Sequence, residues 1–278
     1  IPQERIVVPE PRVTVALRTE SPPRLRLDWT TTAALLAGPY RASLPSARRA
    51  SYAANRIKGD AISTLRWHAS PSASYAVTLF GSSQPTFGKG YGNYHDVPYG
   101  LAVSARFGVA HALELRAEAQ YEDDPFQRQS LQTGDQRLRL MAGYVHRAPH
   151  RLARLSVGPT YYRDQPSSWE GQRSDARELG YTADGRIDQT LRPGRFRVTL
   201  SAAALVNQSW GYVGDAGNHN TTVEGRLAAK PNARLGNVRL AFGPVAYLGY
   251  VYNEYADIEG FSEFGTQFGA EVTTHVRF

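Results

Sequence analysis

From residue 267 to the C-terminus the chain alternates. Phe268, Ala270, Val272, Thr274, Val276 and Phe278 share one face of an extended strand, and Gly269, Glu271, Thr273, His275 and Arg277 share the other. Successive side chains of a strand point to opposite faces, so this stretch predicts a strand with one apolar and one ionic side. The same two-residue period returns along the chain and predicts about twelve strands, near 25–36, 62–69, 75–82, 99–109, 112–122, 136–147, 152–162, 179–191, 195–209, 222–230, 237–252 and 267–278. Roughly ten residues of such alternation cross a bilayer as a tilted strand with the apolar side in lipid. A water-soluble sandwich uses the same pattern with its apolar side inward.

The connectors separate these two solutions. Tight links fall near 70–74, 110–111, 148–151, 192–194 and 231–236, and they alternate with longer segments rich in Gly, Asp, Asn and Ser. Short turns on one rim and long loops on the other is a membrane-barrel layout, which a sandwich rarely keeps so strictly. Both chain ends then fall on the short-turn rim. Phe107, Phe196, Phe242 and Phe278 sit toward that rim, while Tyr121, Tyr161, Tyr250 and Trp210 sit toward the other. Two such groups suit the two lipid interfaces. In its repeated alternation and terminal aromatic Phe278, the chain resembles the outer-membrane β-barrels of Gram-negative bacteria, whose last strand commonly ends in an aromatic read by the assembly machinery. The resemblance covers the general architecture. It implies an all-β fold in the bacterial outer membrane, an antiparallel transmembrane barrel of about twelve strands with short periplasmic turns and long extracellular loops.

Composition agrees. With 41% hydrophobic residues the chain is too apolar to be disordered, yet it has no apolar run long enough for a spanning helix, the best stretch being 30–38. Only helices and closed sheets satisfy their own backbone in lipid, so a membrane protein of this composition is a barrel. The absence of Cys fits export through the periplasm without disulfides. The chain opens on Ile1 with no basic-then-apolar segment, as expected if a secretory signal has been removed or was never part of this sequence. Residues 1–23 are Pro-rich and poorly patterned, and are expected on the periplasmic side or in the lumen, with the barrel itself spanning 24–278.

The formal charge is +7, and only three of the 32 basic residues are Lys: Lys58, Lys89 and Lys230. Such an excess suits nucleic acid, acidic lipid or an anionic solute, and the position of the arginines decides between them. With the apolar face in lipid, the opposite face carries Arg66, Arg106, Arg116, Arg137, Arg139, Arg154, Arg186, Arg197, Arg226, Arg239 and Arg277. Placing an Arg in hydrocarbon costs about 2 to 4 kcal/mol at the midplane, so these residues are expected to line the channel and nucleic acid is set aside. Glu114, Glu118, Asp184 and Asp188 lie among them, so two interiors are open: an arginine-lined channel that favours anions, or a lumen knitted shut by ion pairs.

The segment 39–60 reads as a long outer loop with a short helix over 47–57. Its Arg48, Arg49, Arg56 and Lys58 are expected either to form a constriction or to contact lipopolysaccharide phosphates. The acidic groups Glu122–Asp123–Asp124 and Glu254, Asp257 and Glu259 read as solvated loops without calcium-loop spacing. Gly88-Lys89-Gly90-Tyr91-Gly92 lacks the spacing of a phosphate loop and reads as a flexible connector. His95 beside Asp96, and His219 between Asn218 and Asn220, read as loop residues with no metal-ligand spacing, so no metal or other cofactor is expected. His146 falls on the lipid-facing side next to Tyr144. That layout resembles outer-membrane lipid hydrolases, but the adjacent outward positions Leu113, Leu115, Ala117, Ala119, Ala153, Leu155, Val157 and Pro159 hold no nucleophile, so no enzyme is expected.

The expected function is an outer-membrane channel for anionic solutes, with acidic oligosaccharides suited to lumen groups such as Tyr162 and Tyr247. The alternatives are an exopolysaccharide export barrel working with a periplasmic partner protein, or a closed structural or surface-binding barrel. Lipid and lipopolysaccharide are the expected surroundings.

Overall fold

A computed structural model describes residues 26–44, 50–88, 91–123, 135–164, 176–192, 197–213, 216–255 and 258–278. They form one closed antiparallel barrel in which every strand pairs with its sequence neighbours and β1 closes on β12. The strands are β1 Arg26–Leu44, β2 Ala50–Ser70, β3 Ala73–Gly88, β4 Tyr91–Gly108, β5 His111–Asp123, β6 Asp135–Ala148, β7 Arg151–Asp164, β8 Ala176–Leu191, β9 Arg197–Val213, β10 Ala216–Leu235, β11 Val238–Tyr255 and β12 Ile258–Arg277. Each of the twelve alternating segments lies within or across one of these strands. The Pro-rich residues 1–23 lie outside the described residues.

The register sets the barrel's dimensions. Following directly paired residues from Arg197 through Asn232, Ala241, Thr273, Thr32, Ile62, Phe80, Gly100, Gln120, Arg137, Tyr162 and Glu178 returns to β9 at Gly211, 14 residues beyond the start. With twelve strands about 4.8 Å apart and a rise of about 3.3 Å per residue, that shear gives a tilt of about 40° and a backbone radius of about 12 Å. An extended arginine reaches across more than half of that radius, so side chains from well-separated strands can meet inside.

The period of two sorts the residues onto two walls. Leu65, Val77, Leu79, Val103, Leu115, Leu140, Leu155, Val157 and Phe268 are exposed on the outside. An apolar outer wall around an ionic interior is stable only with lipid on the outside. Aromatic belts bound this wall. On the short-turn side Trp67, Tyr75 and Phe107 touch in series, with ring centroids 5.5 and 6.2 Å apart. On the other side Tyr99 meets Tyr121 at 5.3 Å, and Tyr181 meets Trp210 at 5.7 Å. Phe196 lies outside the described residues. At the short-turn rim the β10–β11 hairpin turns at Gly236, whose φ of 58° is the left-handed conformation that glycine takes without a Cβ penalty.

Several stretches read as loops are strand. Strands run from 13 residues in β5 to 21 in β2, well beyond a membrane crossing, and the surplus extends the barrel on the rim away from the short turns. Of the stretch 47–57 expected as a short helix, residues 50–57 are strand and 47–49 lie outside the described residues. Residues from Ala50 onward belong to β2 and pair with β1 as far as Leu44↔Ala50. The expected turn over 231–236 shrinks to a hairpin at Gly236, because β10 continues through Pro231 to Leu235. Glu122, Asp123, Glu254 and Glu259 lie in β5, β11 and β12, while Asp124 and Asp257 lie outside the described residues. His95 and Asp96 are in β4, and Asn218, His219 and Asn220 are in β10. Gly88 ends β3, Tyr91 begins β4 and the two are paired, so Gly88, Tyr91 and Gly92 of the expected flexible connector are strand, while Lys89 and Gly90 lie outside the described residues. Polar sequence hid these extensions, because cross-strand hydrogen bonding above the membrane needs no apolar period.

Candidate functional site: the lumen

All eleven arginines expected on the inner face share its register positions, but they meet three different fates. The largest group lies about halfway between the aromatic belts. Arg106 donates from Nε to Glu114 at 3.1 Å. Arg154 reaches Glu114 at 3.5 Å and Asp184 at 3.4 Å. Arg116 donates to Asp184 and lies 4.0 Å from Glu118, which accepts from Arg139. This chain of charges joins β4, β5, β6, β7 and β8. A second chain forms on the opposite wall. Arg226 of β10 donates to Asp60 of β2 at 3.0 Å and also to Glu271 of β12, which accepts from Lys230. Lys58 stands 3.9 Å from the same Asp60. The Arg116–Asp184 and Arg226–Asp60 pairs skip several strands, so each chain cuts a chord across the lumen.

The two chains leave a gap. Arg186 of β8 hydrogen-bonds Asp188 on its own strand at 2.9 Å, yet its side chain stays 46% exposed. Ile62, six strands away on the inner face of β2, is 41% exposed. These two residues face each other at mid-barrel height, so water reaches the axis between the two charge chains.

Toward the long-loop rim the lumen pairs cations with tyrosines. The Arg56 guanidinium lies 3.9 Å over the Tyr40 ring, the Lys58 ammonium 3.9 Å over Tyr247, and the Arg137 guanidinium 5.2 Å from Tyr162. Tyr247 hydrogen-bonds Glu224. Glycine lets one ring lie flat on the wall, since a Cβ at Gly249 would come within 3.0 Å of the Tyr247 hydroxyl. Higher on the opposite wall, Glu178 accepts from Ser209 and Asn218.

At the short-turn rim the balance of charge changes. Asp28 gathers Arg26 at 3.2 Å, His68 at 2.8 Å and Arg277 at 3.5 Å. Arg239 stands in the field of Arg277, Arg197 and Arg234. Among the described residues no carboxylate pairs with Arg197 or Arg239. Arg66 instead donates to Ser74 at 3.2 Å.

Sequence reasoning placed the residues of the inner face but missed some of their company. Arg56 and Lys58, read as loop residues, are on the inner face of β2, so the geometry leaves them a lumenal position and turns them away from surrounding lipid. Arg48 and Arg49 lie outside the described residues. Asp60 and Tyr40, which hold Arg226 and Arg56, were hidden in the same supposed loop. The alternation of Ala54, Arg56, Lys58 and Asp60 against Ala53, Asn55, Ile57 and Gly59 was the available signal. On the outer wall His146 stands opposite His111 with ring centroids 4.8 Å apart, and His111 is hydrogen-bonded to Tyr144.

No family model matches the chain, and no curated protein matches it. Solved structures similar to it are outer-membrane barrels. The COG4313 outer membrane channel from Pseudomonas putida F1 is 12% identical, with a TM-score of 0.49, over 91% of this chain and 95% of that one. The beta domain of the Bordetella autotransporter BrkA is 14% identical, with a TM-score of 0.43, over 88% of this chain and 99% of that one. The translocator domain of the autotransporter NalP from Neisseria meningitidis is 12% identical, with a TM-score of 0.44, over 90% and 88%. The closed sheet, its lipid-facing wall and its two belts make this chain a β-barrel of the bacterial outer membrane.

Proposed function

We propose that the barrel conducts small anionic solutes across the outer membrane down their gradient. The observation that carries this reading is the distribution of arginine. At mid-barrel the cations are matched by carboxylates, which narrows the passage. At the short-turn mouth Arg197 and Arg239 face the lumen with no carboxylate partner among the described residues, and Arg277 lies beside them. A focused positive field at one end of a narrow aqueous path raises the local anion concentration and lowers the entry barrier. Carboxylated sugars are the solutes expected, since the outer half of the lumen sets cations beside aromatic rings, Arg137 next to Tyr162 among them. The basic mouth also favours a second reading, an export barrel on which an acidic periplasmic protein docks.

Single-channel recording of the refolded protein under a salt gradient tests both. Stable openings with an anion-selective reversal potential are expected, and Arg197→Gln with Arg239→Gln should weaken that selectivity. Silence from correctly folded protein would favour the partner-dependent export barrel, and cation-selective openings would overturn anion conduction.

A further inference from the structure

We propose that the lumen holds a binding site for a phosphate group, free or carried on a small ester, formed by Arg66 and Arg147 with the Ser74 hydroxyl. It lies toward the opposite end of the lumen from the Arg137–Tyr162 contact and takes a second class of anion. The site deepens the channel reading and rests on it for the route by which the anion arrives, while its occupancy is measured without conduction.

The aromatic belt fixes the height of the site. Arg66, Ser74 and Arg106 are the inward neighbours of Trp67, Tyr75 and Phe107, which touch in series on the short-turn side. Arg147 of β6 is inward as well, on the same face as the buried Met141 and Val145. Arg66 and Arg147 each stand in the field of Arg106, and Arg66 stands in that of Arg147 too. Guanidinium groups from β2, β4 and β6 therefore gather in one sector of the lumen.

The carboxylates of that sector are committed to other cations. Glu114 accepts two hydrogen bonds from Arg106 and lies 3.5 Å from Arg154. Asp28 is held by Arg26, His68 and Arg277. Arg66 gives one N–H to Ser74, a buried and neutral hydroxyl on the residue directly opposite Arg106. That bond orients the Arg66 fork and leaves its charge unmatched. Neither Arg66 nor Arg147 meets a carboxylate among the described residues. A half-buried cation without a counter-charge is costly, and an oxyanion from solution removes that cost.

Shape selects phosphate over carboxylate. Strands β2 and β6 are four of twelve strands apart, so on a wall of about 12 Å radius their backbones face each other across about 21 Å. Two arginine side chains reaching inward by about 7 Å each leave about 7 Å between their heads, the room that one oxyanion bridging two guanidinium groups takes. Each fork binds a pair of oxygens, and the Ser74 hydroxyl accepts from Arg66 while its own proton is free to donate to the anion. Donors converging from three strands suit a tetrahedral anion. A planar carboxylate has two oxygens and fills one fork.

The full chain, refolded in detergent, is titrated calorimetrically with inorganic phosphate, glucose 6-phosphate and acetate. Phosphate should saturate one site and bind at least tenfold more tightly than acetate, since it engages a second charge-assisted fork. Arg66→Gln with Arg147→Gln should lower phosphate affinity at least tenfold, and Arg66→Lys should fall between. Arg41→Gln with Arg151→Gln removes the same charge from exposed positions on the outer face and should bind like the unaltered protein. Heat-modifiable gel migration confirms that each variant is folded. Binding of glucose 6-phosphate alongside inorganic phosphate assigns the site to esters, and its exclusion assigns the site to the free ion. Unsaturable uptake, equal affinity for acetate, or equal losses in the two double variants would overturn the site. In parallel single-channel recordings, saturable phosphate binding without openings would overturn the channel reading and keep the site, whereas anion-selective openings without such binding would do the reverse.

Discussion

The middle of the lumen and its short-turn mouth are built from the same side chain and behave oppositely. At mid-barrel Arg106, Arg116, Arg139, Arg154 and Arg226 each contact a carboxylate from another strand, and the chains they form tie the wall together. At the mouth Arg197 and Arg239 meet other arginines. Counting arginines on the inner face therefore overstates the charge available to a solute. The field that a solute meets is set by cations that no carboxylate matches, and among the described residues Arg197 and Arg239 stand together in that state at the short-turn mouth.

The largest expected effect lies in the matched region. Glu271→Ala leaves Arg226 and Lys230 without their shared carboxylate, and loss of about 3 to 5 kcal/mol is expected for breaking a buried charge pair, measured by denaturant unfolding in lipid. Adding Lys230→Met should recover part of it. Next comes the mouth. Arg197→Glu with Arg239→Glu should reverse the anion preference of the reversal potential while leaving the unfolding midpoint nearly unchanged, because these groups hold nothing together. A stability loss comparable to that of Glu271→Ala would erase the contrast. Removing a matched pair, Arg139→Ala with Glu118→Ala, should raise single-channel conductance with little change in selectivity, since the pair is neutral. Arg137→Ala should be mildest, with a loss of about 0.5 to 1 kcal/mol from its contact with the Tyr162 ring and unchanged ion preference.

The stretches that were legible and those that were not differ in one physical respect. Where a strand crosses lipid, its outward positions must be apolar, and the alternation of Leu113, Leu115 and Ala117 against Glu114, Arg116 and Glu118 is unmistakable. Beyond the hydrocarbon that requirement lapses. The outward positions Asn55 and Gly59 satisfy the sheet as well as leucine would, so β2 disguised itself as a loop and carried Asp60 and Lys58 with it. His219 was hidden in the same way, and it stacks on Trp210 across the β9–β10 pair with rings 5.3 Å apart.

The amino-acid order by itself determined the number of strands, the wall that each crossing residue faces and the excess of arginine inside, because hydrophobic matching to lipid acts position by position along the chain. Which arginine meets which carboxylate was decided only in three dimensions. Partners such as Arg226 and Asp60 lie 166 residues apart and on strands that are not neighbours. Their contact depends on a closed barrel whose shear brings both to one height and whose radius lets their side chains meet, and no local pattern encodes either quantity.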